Sequence, residues 1–262
     1  MHLNVLKYSL DDVFDIPTRE VNKMMRIDKF LSQLHYGTRN EIAHAISNGL
    51  VKKNHELVKT PKLQINPETD VIEYDNEVVF YKETLVLMVY KPHSVVSANK
   101  DTTNETVTSL IKSPYNRFKL NIAGRLDMDT EGLLLLTNKG KLLHDIISPN
   151  KEITKKYYVE LEDPISRVSQ LENGVDILDG KGEIYHTKPA KIEKIDELHC
   201  FISIHEGKYH QVKRMFQFVN SKVTFLKRVA IGGLFLDETL LPGEYRELTS
   251  TEIDLIFAKT EA

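Results

Sequence analysis

The 262-residue chain contains no tryptophan and a single cysteine, Cys200. One cysteine excludes an internal disulfide and any cysteine-rich metal site. Its setting, His199-Cys200-Phe201-Ile202-Ser203-Ile204, is that of a buried strand residue. No apolar run approaches the roughly 20 residues that a membrane-spanning helix requires. Asp11, Asp12 and Asp15 crowd the N-terminus, unlike a signal peptide. Neither sign of charge dominates: 35 Lys and Arg face 38 Asp and Glu, a net charge of −3. That sum speaks against nucleic acid as a partner, but a sum conceals a local basic face. Walker and dinucleotide-binding glycine motifs are missing. None of the ten histidines has metal-ligand spacing with a cysteine or a second histidine, so His205 and His210 read as structural or nucleic-acid-contacting residues rather than metal ligands. A soluble, cytoplasmic, membrane-free protein with no cofactor and no metal is expected. With 41% hydrophobic residues it has ample material for a packed core.

Charge is in fact unevenly distributed. Between Met25 and Asn66 the bases Arg26, Lys29, Arg39, Lys52, Lys53, Lys59 and Lys62 are opposed only by Asp28, Glu41 and Glu56. In the same stretch Ile27, Phe30, Leu31 and Leu34 form one stripe of a short helix. Thr38 and Glu41 form a capping box for a second helix, whose buried face is Ile42, Ala45 and Ile46, with Gly49 as its stop. A strand-turn-strand passage follows to about Ile72. The segments Met25-Arg26-Ile27-Asp28-Lys29-Phe30-Leu31, Thr38-Arg39 and Asn48-Gly49-Leu50-Val51 resemble the S4-type RNA-binding module. The resemblance implies RNA contacts from Arg26, Lys29, Arg39, Lys52 and Lys53.

The expected organisation is an N-terminal extension over 1–24, an S4-like domain over 25–73, a linker over 74–84 and a larger domain over 85–262. In that larger domain strands are expected at Leu85 to Tyr90, Leu133 to Thr137, Tyr157 to Leu161, Phe201 to His205 and Val223 to Leu226. Helices are expected near Glu105 to Ile111, Lys141 to Ile147 and His210 to Val219, and a capping box at Thr249 and Glu252 announces a last one. Helices scattered among strands without βαβ alternation indicate an α+β fold, with flanking helices on a mostly antiparallel sheet.

The chemistry is concentrated in Ala123-Gly124-Arg125-Leu126-Asp127-Met128-Asp129-Thr130-Glu131-Gly132 and the leucine run after it. An EF-hand is excluded, because its twelfth position is Asn138 and leucines fill positions that should stay polar. A glycosidase pair of Asp127 and Asp129 is disfavoured, since the chain has no tryptophan for a sugar platform. One carboxylate acting as nucleophile remains.

Gly124-Arg125-Leu126-Asp127, with Gly132-Leu133 and Leu136-Thr137-Asn138, resembles the G-R-L-D signature of the ribosomal RNA pseudouridine synthases. Lys91-Pro92, Lys155-Lys156-Tyr157-Tyr158-Val159, Glu206 to Phe216, Arg228 with Ile231-Gly232-Gly233, and Leu241 to Arg246 match further motifs of that family in order. Ser94 stands where the family usually has glycine. The resemblance is strongest to the subfamily acting on small-subunit (16S) ribosomal RNA. It implies isomerisation of a flipped-out uridine, with Asp127 as nucleophile and Tyr157 stacked on the base. Tyr158 must face the other side of its strand.

A carboxylate in a closed pocket requires a cation, or desolvation protonates it. If 210–219 is helical, Lys213 flanks the core stripe of Val212, Met215, Phe216 and Val219 and reaches the cleft. Arg214 points nearly opposite, toward a phosphate or a surface ion pair. Substrate contacts are assigned to Arg125, Arg214, Lys91, Gln211 and Arg228. The expected partner is small-subunit ribosomal RNA or a partly assembled subunit, met by a monomer. The rival readings are the same reaction on large-subunit (23S) RNA and a non-catalytic RNA-binding ribosome-assembly factor.

Overall fold

The computed structural model describes residues 24–165 and 167–258. All of the expected N-terminal extension except Met24, and residues 259–262, lie outside the described residues. The described chain divides into two compact units, 24–32 with 37–81, and 33–36 with 82–258.

In the first unit β1 (Met25–Arg26) leads into α1 (Ile27–Gln33), and α2 (Arg39–Ser47) follows. The expected stripe Ile27, Phe30, Leu31 and Leu34 is buried. The capping box is present: Thr38 Oγ1 accepts from the Glu41 amide at 3.3 Å, and the Glu41 carboxylate accepts from the Thr38 amide at 2.7 Å. β2 (Val51–Lys53), β3 (Glu56–Leu57), β4 (Gln64–Ile65), β5 (Ile72–Tyr74) and β6 (Glu77–Val78) complete the unit. β4 pairs with β1, and the others form a sheet in the order β3-β2-β5-β6. Residues 74–78, expected to open a linker, are instead part of a hairpin in which Glu73 pairs with Val78 and Tyr74 with Glu77. Local polarity suggests a linker, yet β5 offers an unpaired edge that the chain folds back to satisfy.

The second unit contains β7 (Val86–Lys91), β8 (Asn121–Ala123), β9 (Glu131–Thr137), α3 (Gly140–Ile147), β10 (Lys155–Leu161) and α4 (Val168–Asn173). It continues through β11 (Asp176–Leu178), β12 (Ile184–His186), β13 (Lys191–Lys194), β14 (His199–Ile204) and α5 (Gln211–Phe218). β15 (Val223–Ile231), β16 (Leu234–Phe235), β17 (Tyr245–Glu247) and α6 (Ser250–Leu255) close it. The stretch near Glu105 to Ile111 forms only a 3-10 turn, Val107–Leu110. There the Ser109 hydroxyl donates to the Thr106 carbonyl and the Thr108 hydroxyl to the Asn99 carbonyl, side-chain bonds that compete with an α-helical ladder.

The main sheet runs β13-β14-β10-β15-β9-β7-β17, with β16 on β15 and β8 on β9. Every pairing in it is antiparallel except β15 with β9, where Lys227 faces Glu131 and Arg228 faces Gly132. Two antiparallel halves therefore meet at one parallel seam. Gly132 makes the seam possible: its φ is +105°, and a Cβ there would overlap the Arg228 carbonyl. Buried Val86, Met88, Leu133, Leu135, Ile231 and Leu234 form a core against one face of this region. The overall class is α+β with a mostly antiparallel sheet.

Candidate active site

The segment 124–130 leaves β8 and turns into β9 at the seam. Gly124 (φ +81°) begins the turn, and the Thr130 amide donates to the Asp127 carbonyl at 3.1 Å. Two buried side chains anchor it from β7 and the loop beyond. The Ser97 hydroxyl donates to the Leu126 carbonyl (2.7 Å) and accepts from the Leu126 amide (3.0 Å). The Lys91 ammonium, with no exposed surface, donates to the carbonyls of Pro92 (2.9 Å), Met128 (3.2 Å) and Thr130 (2.8 Å). Burial pushes Lys91 down to about 8, against the opposing pull of Asp129, Glu131 and Asp127. Lys91 is expected from the sequence to bind substrate; its charge is spent instead on holding the loop that presents Asp127.

Ser94, which replaces the family's glycine, keeps a left-handed φ of +64°, and its amide donates to the Met128 carbonyl at 2.9 Å. Glycine adopts that conformation without strain, whereas serine does so at a cost of about 1 kcal/mol. The departure leaves the loop's backbone contact in place.

Asp127 opens into a cavity also lined by Arg125, Tyr157, His210, Gln211 and Lys213. α5 carries Lys213 there because Val212, Met215 and Phe216 are buried beneath it. The Lys213 ammonium lies 3.3 Å from Asp127 Oδ2 and 2.5 Å from Asp129 Oδ1, so it is shared. For Asp129, burial alone would raise the carboxyl's pKa, but hydrogen bonding and charge from Lys213 hold it below its ordinary value. Tyr157 on β10 is buried at the cavity wall. Tyr158 faces the other way, among the rings of His199, Phe201 and Phe225.

Three other expected substrate contacts are engaged within the protein. Arg228 is buried and its Nε donates to the Leu133 carbonyl at 2.8 Å, bracing the seam. Gln211 is buried: its amide donates to Glu206 (2.6 Å) and its oxygen accepts from the Lys208 amide (2.9 Å), fixing the turn before α5. Glu206 also accepts from the Tyr185 hydroxyl at 2.6 Å, which raises that phenol to about 12. Arg214 does point away from Lys213, but onto the carbonyls of Leu178 and Asp179, with its guanidinium 4.9 Å above the Tyr209 ring. It forms no ion pair within 4.0 Å among the described residues, because the turn after β11 supplies carbonyls at that point. Arg125 is exposed at the cavity rim.

Sequence reasoning misses Ser97, Asp129 as a second partner of Lys213, and His210 as a neighbour of Asp127. His210 Nε2 is 3.5 Å from Asp127 Oδ1. Its position three residues before Lys213 is the available signal; Ser97 offers none.

The basic positions of the first unit also divide. Arg26 pairs with the buried carboxylate of Asp28 through two contacts (3.0 and 2.5 Å), as a buried anion demands. Lys53 pairs with Asp70 at 2.9 Å, and Lys52 donates to Asn76 at 3.0 Å. Lys29 and Arg39 are exposed and form no ion pair within 4.0 Å among the described residues. Among the described residues no group of three or more His, Cys, Asp or Glu side chains is placed to hold a metal. No helix there is long and apolar enough to cross a membrane.

Comparison with known proteins finds relatives over most of the chain. The RNA pseudouridylate synthase family model matches residues 85–218, and the S4 domain model matches 25–72. The RNA pseudouridine synthase YtzG of Bacillus subtilis is 43% identical, over 88% of this chain and 98% of its own. Ribosomal small subunit pseudouridine synthase A of Haemophilus influenzae is 40% identical, over 88% of this chain and 98% of its own. A crystal structure of a pseudouridylate synthase superposes with a TM-score of 0.62 at 40% identity, covering 88% of this chain and 99% of that one. The chain belongs to the RNA pseudouridylate synthase family and carries an S4 domain ahead of its synthase domain.

Proposed function

We propose that this enzyme isomerises a specific uridine of small-subunit ribosomal RNA to pseudouridine, with Asp127 as nucleophile. The observation that carries the reading is the Asp127 carboxylate held 3.3 Å from the Lys213 ammonium in the cavity walled by Tyr157. The small-subunit assignment is supported by relatives named for that substrate, such as that of Haemophilus influenzae.

The target base must leave its stack to reach the cavity. Tyr157 offers it a ring to lie against, and Arg125 at the rim is free to hold a phosphate or the vacated place. Asp127 attacks C1′ as the C1′–N1 bond breaks, and the bonding pair leaves with uracil as an anion. The captured uracil turns, and C5 attacks C1′ while the Asp127–C1′ bond breaks and the carboxylate re-forms. Loss of the C5 proton and protonation at N1 complete the isomerisation, with no net gain or loss of atoms. Lys213 sets a positive charge 3.3 Å from the Asp127 carboxylate, where it can balance the charge that leaves and returns in this cycle. Lys29 and Arg39 of the S4 domain contact RNA phosphates, and the enzyme works in the cytoplasm as a monomer.

The test is incubation with unmodified small- and large-subunit ribosomal RNA, free and as partly assembled subunits, followed by carbodiimide labelling and primer extension. The expected result is one new stop in small-subunit RNA, absent with Asp127→Asn, whose RNA affinity stays within a few-fold of wild type. A stop only in large-subunit RNA would change the substrate. An active Asp127→Asn protein would remove the mechanism, and tight binding with no stop would make the chain an assembly factor.

A further inference from the structure

Lys213 holds only one oxygen of the Asp127 carboxylate, Oδ2. Oδ1 faces the imidazole of His210, whose Nε2 is 3.5 Å away. The placement of that imidazole is built. His210 has a φ of +50°, a conformation L residues seldom adopt, and it occupies the N-cap of α5. The turn that imposes this conformation is closed by Gln211, which accepts from the Lys208 amide and donates to buried Glu206. The Tyr209 ring stacks on the imidazole, with centroids 3.8 Å apart and planes 21° from parallel. Tyr209 is in turn covered by the Arg214 guanidinium, itself tied to the carbonyls of Leu178 and Asp179. Ring plane, backbone and neighbouring turn are thus each held by contacts within the protein. Catalytic contacts in an unliganded site are often long and tighten when substrate arrives.

We propose that His210 is a positioning residue for Asp127: its Nε2–H holds Oδ1 while Lys213 holds Oδ2, fixing the carboxylate's orientation toward C1′. A nucleophile free to rotate about its Cβ–Cγ bond spends much of its time misaligned, and a small misplacement at a reacting atom is costly in rate. His210 acts through Asp127, so its loss lowers turnover without weakening RNA binding.

The inference rests on Asp127 being the nucleophile, and the experiment separates the two. Tritium release from small-subunit ribosomal RNA labelled at uracil C5 is measured for wild type, Asp127→Asn, His210→Gly and His210→Gln. Glycine is the chosen deletion because it accepts the left-handed φ, and glutamine restores an N–H donor near the Nε2 position. Circular dichroism and thermal unfolding accompany each variant. The expected result is a kcat lowered about 10-fold in His210→Gly with KM within two-fold of wild type, and recovery of most of that loss in His210→Gln. Wild-type kcat in a folded His210→Gly would overturn the proposal, as would a His210→Gln no faster than His210→Gly. An active Asp127→Asn would sink the nucleophile assignment itself, whatever His210 does.

Discussion

Lys91 carries a buried cation with no ion-pair partner among the described residues, satisfied only by three backbone carbonyls. Those carbonyls, on Pro92, Met128 and Thr130, lie around the turn that presents Asp127, so a side chain with no exposed surface determines where that carboxylate stands. Lys91→Met keeps the volume and removes the donors. It leaves buried carbonyls unpaired, at a cost of about 1–3 kcal/mol for each one that water cannot reach. The expected outcome is a melting temperature lowered by several degrees and turnover reduced at least as much as by loss of His210, read by thermal unfolding and tritium release. A Lys91→Met protein with wild-type stability and rate would show that the loop is held by Ser97 alone. Arg228 belongs to the same class of residue: its side chain braces the β9–β15 seam through the Leu133 carbonyl.

At the scale of elements, α6 is a small helix secured by charge. Arg246 on β17 donates to Asp237 (2.5 Å) and to both oxygens of Glu252 (3.1 and 2.7 Å), while Glu252 also closes the capping box with Thr249. The Arg246 hydrogen bond holds Glu252 at about 2, and hydrogen bonds from Thr239, joined by Arg246, hold Asp237 at about 2. Both acids release protons more readily when folded, so their contribution is complete above the ordinary carboxylate range and is lost as pH falls through about 2. Melting temperature is therefore expected to fall across the window from about pH 4 to about pH 2. Glu252→Gln, which loses a charge-assisted pair worth about 1 kcal/mol at neutral pH, should melt lower at pH 7 and respond less to acid. Parallel melting curves for the two proteins across that window would refute the assignment.

For the whole molecule, a net charge of −3 coexists with RNA binding because the few uncommitted cations matter more than the sum. In the S4 domain Arg26 and Lys53 are paired with Asp28 and Asp70, whereas the exposed Lys29 and Arg39, proposed above to meet phosphates, form no ion pair among the described residues. Lys29→Ala combined with Arg39→Ala should weaken RNA binding and flatten its salt dependence by about one unit of log–log slope for each phosphate left without its cation. Turnover at saturating RNA should be unchanged. Lys53→Ala should instead act mainly on the stability of the S4 domain. Unchanged binding at both low and high salt in the double variant would remove these two residues from the RNA interface.

The sequence by itself determined what depends on neighbours along the chain. The capping boxes at Thr38 and Thr249 begin helices because both halves of each box lie within one turn. The stripe beneath α5 aimed Lys213 at the cleft for the same reason, and the alternation of β10 put Tyr157 and Tyr158 on opposite faces. Tertiary structure decided the rest. Whether a lysine or arginine meets RNA or a carbonyl depends on what the fold brings to it: Lys91 finds carbonyls 37 and 39 residues away, and Arg228 finds one 95 residues away. The parallel seam required Gly132 beside Arg228, and His210 reached Asp127 only when α5 packed across from it. Local patterns carry backbone geometry, but the partners of Lys91 and Arg228 lie on distant segments, and no spacing along the chain encodes them.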